Sequence, residues 1–133
     1  MDLYKDSINE FIGISSVPRS CLNCEKILDY LFSWAKEHSF VPNRDTYGNF
    51  WMDIDATSGK EMSKKCILQA HMDMVPVVEE GFIHDFTEEG LSLVIDEEKI
   101  FAKHTSLGAD DGIGMAVILA IAKNEKNFSH GPF

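Results

Sequence analysis

Apolar positions recur along this chain first at helical and then at strand spacing. Tyr4, Ile8, Phe11 and Ile12 lie on one face of a segment running from Leu3 to Ile12. That run stops at Gly13, which predicts a helix closed by a glycine C-cap. A longer helix is predicted over Asn23–His38, with Ile27, Leu28, Leu31, Trp34 and Ala35 on its inner face. Its aromatic residues read as core, not as a cofactor site. Thr46–Ile54 reads as a turn or bulge flanked by strands. Cys66–Ala70 is short, apolar and preceded by Ser63-Lys64-Lys65, which predicts a buried strand. Leu91–Ile95 and Ile100–Ala102 are expected to form a hairpin around Asp96–Lys99. Gly112–Lys123 carries Lys123 as its only charge, the mark of a buried helix. Helices and strands interleave, so the expected class is α/β, a mixed β-sheet flanked by helices. No repeat, low-complexity tract or linker divides the chain, and residues 1–133 read as one domain.

Two short segments carry candidate chemistry. The first is Leu68-Gln69-Ala70-His71-Met72-Asp73. Open α/β sheets deliver functional groups where strands end, and His71 stands at such an end. In extended chain, residues i and i+2 project to one side, so His71 and Asp73 can face one cavity. Imidazole suits zinc, and Asp73 could orient the ring or ligate an ion itself. H-x-D is also a common hydrogen-bonded strand end with a turn-forming aspartate. The second segment is Leu107-Gly108-Ala109-Asp110-Asp111-Gly112, just before the apolar helix. One aspartate there could cap the helix N-terminus while the other reaches a metal, or both could serve the cap alone.

Taken together, the residues resemble the zinc exopeptidases of the M20 family, in particular its aminoacyl-histidine dipeptidase branch. The resemblance is carried by Ser16-Val17-Pro18-Arg19, by Leu68–Val75, by His84-Asp85-Phe86, by Thr105–Gly114 and by the closing His130-Gly131-Pro132. It spans nearly the whole chain in the family's order. It implies the amino-terminal part of a zinc-exopeptidase-like catalytic domain. His71 would then be a terminal ligand of one zinc, Asp110 the carboxylate bridging two zinc ions, and Asp73 the catalytic-site carboxylate that orients His71. Cobalt or manganese could replace zinc. Asp111 would serve the cap or support the bridge. The resemblance further implies a dipeptide substrate, Xaa-His and similar unblocked dipeptides, and a homodimeric full-length protein. It places the general base, the remaining ligands and a dimerisation domain beyond Phe133. This chain departs from the family's usual pattern at Ser20-Cys21-Leu22-Asn23-Cys24, at Ala70 in place of glycine, and at His104-Thr105-Ser106 in place of Gly-Thr-Thr. The alternatives are another M20 activity, cleaving tripeptides or deacylating N-acyl amino acids, and a non-catalytic binding module.

Composition narrows the field further. Hydrophobic content of 44% with 26% charged residues is that of a folded domain. A net charge of −10 argues against nucleic acid, which demands clustered Lys and Arg. The longest apolar run, Met115–Ala122, is far below the ~20 residues of a membrane span, so no membrane partner is expected. The N-terminus lacks a signal peptide's basic start and apolar core, and the three cysteines are odd in number. Both point to reduced thiols and a cytoplasmic location. Cys21-Leu22-Asn23-Cys24 has no second pair, so it is not expected to bind zinc. Glu79-Glu80 and Glu88-Glu89 read as solvated loops. His38 is expected to complement a helix C-terminus, and His84 and His130 receive no role.

Overall fold

The computed structural model describes residues 2–133. Helix α1 spans Leu3–Ser15 and opens on Asp2, whose carboxylate accepts from Lys5 N–H at 3.1 Å. It runs through Gly13 instead of ending there. A Cβ at Gly13 would collide with the Tyr30 hydroxyl, so this glycine permits a close approach between helices and is not a stop signal. Helix α2, Glu25–Glu37, buries the five residues expected of it: Ile27, Leu28, Leu31, Trp34 and Ala35. His38 closes it, with Nδ1 2.8 Å from the Trp34 carbonyl.

Helix α3, Ala109–Lys123, packs against α1. It buries Met115, Ala116, Leu119, Ala120 and Ala122, while Ile113 and Val117 on the other side remain 39% exposed. Met115, Ala116, Leu119 and Ala122 join Phe11, Ile14, Ile27, Leu31, Trp34 and Ile54 in one core. Glu10, buried on α1, accepts from Trp34 Nε1 at 2.8 Å and from Lys123 Nζ at 3.2 Å, tying the three helices together. Burying that carboxylate is tolerable because both of its oxygens are paired.

The α/β class stands, with strands gathered into two small antiparallel pairs instead of one mixed sheet. Strand β1 (Asn43–Arg44) pairs with β2 (Phe50–Trp51), and Asp45 organises the turn by accepting from Tyr47 and Asn49 N–H. Strand β3 (Leu93–Ile95) pairs with β4 (Ile100–Ala102) in the expected hairpin. One parallel bridge joins Ser20 to Met74.

The expected buried strand at Cys66–Ala70 does not form. Cys66 N–H bonds to the Pro132 carbonyl at 3.0 Å, but residues 67–69 have no backbone partner among the described residues. Ile67 is 82% exposed. An apolar run becomes a buried strand only when neighbours line both of its edges, and here residues 67–69 are bonded along neither. The segment 130–133 reaches only the start of the run: it bonds Cys66 on one side, while Phe133 and Ile54 exchange two backbone bonds on the other.

Candidate metal centre

The two chemical segments meet because a third holds them in register. Ser106 Oγ donates to the Val75 carbonyl at 2.8 Å and accepts from Val77 N–H at 3.1 Å, while its own N–H reaches the Val77 carbonyl. Met74 is bracketed in turn by Arg19 and Cys21, through Met74 N–H to Arg19 O at 2.9 Å and Cys21 N–H to Met74 O at 3.0 Å. The 71–77 chain is thus pinned from two directions. Upstream of α3, Gly108 adopts left-handed φ of 63°, and Asp110 and Asp111 keep non-helical backbone, joined by a cis peptide. The first helical hydrogen bond is Gly112 N–H to Gly108 O at 3.1 Å.

Neither aspartate caps the helix. Gly108 occupies the N-cap position without any side-chain bond. Asp111 folds its carboxylate back over Gly114, where a Cβ would collide with it. Asp110 instead projects its carboxylate outward, 96% exposed, to His71. The capping alternative therefore does not describe this loop.

His71 stands between two carboxylates. Its Nε2 lies 3.1 Å from Asp110 Oδ1, although 39 positions separate the residues in sequence. Its Nδ1 lies 3.1 Å from Asp73 Oδ1 and 3.0 Å from the Asp73 carbonyl. A neutral imidazole carries one N–H, so it can donate to only one of these neighbours. Facing oxygens on both sides calls for a second proton or a cation on the remaining nitrogen. Without a metal, the Asp110 contact, and after it the Asp73 charge, raises the His71 pKa above its usual 6.5. Such contacts stabilise the fold fully below the unfolded pKa and are lost as pH rises through the higher, folded value. We therefore expect metal-free chain to show a His71 imidazole titrating above 6.5, and Asp110→Asn to bring the midpoint down. An NMR titration that finds His71 at or below 6.5 would contradict the contact.

The donor set suits a divalent ion between His71 Nε2 and Asp110. Atoms each ~2.0–2.2 Å from one tetrahedral zinc lie about 3–3.5 Å apart, and Asp73 holds the opposite nitrogen as a metal-bound histidine requires. Among the described residues no cluster of three or more histidine, cysteine or acidic side chains is arranged to hold an ion. The chain therefore brings one imidazole nitrogen and one carboxylate together, with a second carboxylate on the other ring nitrogen. His71 and Asp73 line an open groove with Leu28, Phe50, Met115 and Phe133.

The other polar candidates lie elsewhere in the fold. His84 pairs with Glu89, and His104 with Glu79 at 2.7 Å while stacking on Phe82. His130 is held near Glu125. The acidic pairs are exposed, as expected of loops. The three cysteines are free thiols, and burial, reinforced by the Asp73 charge, pushes the Cys24 thiol up. One residue had no distinguishing signal in the sequence. Arg19 was legible only as part of a Val-Pro-Arg run, yet it reaches the backbone of both chemical segments. Its contacts lie 53 to 89 positions away, beyond any local pattern.

No protein-family model matches the chain. Its relatives and structural neighbours are peptidases, and the chain belongs to the M20 peptidase family. It is 43% identical over 122 residues to the cytosol non-specific dipeptidase of Escherichia coli, a match covering 92% of this chain and 25% of that protein. The crystal structure of aminoacylhistidine dipeptidase from Vibrio alginolyticus superposes with a TM-score of 0.89 at 39% identity, covering 99% of this chain and 28% of the other. A tripeptidase from Staphylococcus aureus shares the fold, with a TM-score of 0.74 at 19% identity over 96% of this chain and 34% of the other. The chain thus spans about a quarter of the length of these two dipeptidases.

Proposed function

We propose that this chain is the amino-terminal part of the catalytic domain of a cytoplasmic, homodimeric dinuclear-zinc dipeptidase acting on Xaa-His and similar unblocked dipeptides. The observation that carries the proposal is the 3.1 Å approach of His71 Nε2 to Asp110 Oδ1, with Asp73 on the opposite ring nitrogen. His71 and Asp110 would hold the metal. When bound, zinc supplies the Lewis acidity that polarises a peptide carbonyl and acidifies water. Asp73 accepts the Nδ1 proton, which fixes the tautomer and leaves Nε2 as a donor atom. Asp110, solvent-facing and free of the helix cap, is able to offer both carboxylate oxygens. Asp111, turned back over Gly114, braces the loop.

Dipeptidase is favoured over tripeptidase or deacylase action because the substantial identities are to dipeptidases, whereas the tripeptidase is a likeness of fold alone. A cytoplasmic site accords with the name of the Escherichia coli relative and with the absence, among the described residues, of a helix long and apolar enough to cross a membrane. The test is a substrate panel on the full-length protein: unblocked dipeptides including Xaa-His, tripeptides and N-acyl amino acids, with metal content measured on the same sample. Dipeptide turnover that a chelator abolishes and zinc restores is the expected result. Preferential release from tripeptides or N-acyl substrates would overturn the specificity, and full activity without metal would overturn the mechanism.

A further inference from the structure

We propose that Arg19 is a positioning residue whose guanidinium ties the His71–Asp73 segment to the Gly108–Asp110 segment and so sets the gap across which those side chains meet. This inference rests on the metal-site reading above. Arg19 is 2% exposed. Its Nη1 donates to the Met72 carbonyl at 3.2 Å and to the Asp73 carbonyl at 3.4 Å, and its Nη2 donates to the Gly108 carbonyl. Met72 directly follows His71, and Gly108 lies two positions before Asp110. One rigid planar group therefore bonds the main chain beside each member of the 3.1 Å pair.

The surroundings are built around this group. A Cβ on Gly108 would lie 2.6 Å from Nη2, and one on Gly112 would lie 2.5 Å from it, so both glycines leave room for the guanidinium. Arg19's own backbone carbonyl also receives Met74 N–H, fixing the same segment from its far side. Burial lowers the Arg19 pKa, and the charges of Asp73, Cys24 and Asp111 act against that effect. A buried cation is costly unless it is bonded, and satisfying it through carbonyls of two separate loops makes their relative position part of its solvation. Lysine keeps the charge but offers one compact ammonium, which cannot bridge the same three carbonyls in one plane. Nε finds no acceptor, so the contacts with both loops rest on the two terminal nitrogens.

The experiment uses the full-length protein with Co2+ as the probe, read by its visible absorption and by chelator competition. Arg19→Lys and Arg19→Met are expected to weaken Co2+ binding about 10–100-fold, the usual scale for groups supporting a ligand, and to alter the absorption bands. Trp34→Phe, in the core toward the far end of α2, serves as a control for general loss of stability. It should keep wild-type Co2+ affinity and spectrum at whatever cost in its urea midpoint. Arg19 variants that bind Co2+ as wild type does, while only unfolding earlier, would reduce Arg19 to a stability element and overturn the inference. Should neither variant fold, the wild-type protein decides. Resolved Arg19 Nη proton signals that shift on Cd2+ loading support the positioning role, and signals unmoved by the metal refute it. His71→Ala and Asp110→Ala, run beside these, separate the two failures. If those also bind Co2+ normally, it is the metal-site reading that falls.

Discussion

Asp110→Ala and His71→Ala, each made in the full-length protein, are expected to lose bound zinc and dipeptidase turnover together. Asp110 is the largest single loss because its carboxylate is the negative charge proposed to lie between two dications. Without it their mutual repulsion is unscreened, and the pair cannot be retained at ordinary zinc concentrations. His71→Ala removes the nitrogen that faces it at 3.1 Å. Neither change damages the core, since both side chains are largely solvent-exposed, so circular dichroism should stay near wild type, and any fall in the unfolding midpoint should shrink when variant and wild type are compared free of metal. Asp73→Asn should behave differently. It keeps an oxygen near Nδ1 but loses the charge, so most of the metal remains while activity falls about 10–100-fold. Metal analysis that finds two zinc ions per chain in Asp110→Ala would refute the bridging role.

The 133-residue chain alone, purified and loaded with zinc, is expected to give no measurable turnover of an Xaa-His dipeptide. Two donors and one orienting carboxylate do not complete a zinc coordination sphere, which takes four ligands at a structural site and three protein ligands plus water at a catalytic one. No third side chain among the described residues joins His71 and Asp110 around a common point. A general base must also stand within hydrogen-bond reach of the attacking water. Asp73 is occupied by the imidazole and Asp111 is folded over Gly114, so neither is free for that task. Steady release of histidine by the isolated chain, sensitive to chelator, would show that the missing functions reside within these residues.

What the sequence made legible was whatever a local pattern encodes. The buried face of α2 follows from periodicity alone, and the β3–β4 hairpin from two apolar runs around a polar turn. The continuation of α1 through Gly13 was hidden because the glycine answers to Tyr30, a residue of another helix. Cys66–Ala70 misled for a related reason: apolar composition states a preference for burial, while burial itself depends on what lies alongside. The convergence of His71, Asp73 and Asp110 was expected from residue type, order and family resemblance, and the structure brings the three together. The release of Asp110 from the helix cap was not, since it depends on left-handed Gly108 taking the N-cap position. Arg19 was the least legible, because a single arginine has no pattern of its own.

The bare edge along Ile67–Gln69 has a consequence for how this polypeptide behaves in a test tube. Backbone with unpaired N–H and C=O groups, carrying an isoleucine 82% exposed, is a template for strand addition. Two copies meeting along that edge would satisfy each other's hydrogen bonds and bury both isoleucines in a single event. Self-association of the isolated chain is thus favoured by the same face that runs directly into His71. Lys64, immediately before the segment, is the charge that opposes it, since Lys65 is paired with Asp53 at 2.6 Å, and that repulsion weakens as salt is added. Low ionic strength and low protein concentration are the conditions under which the monomer is best kept in solution.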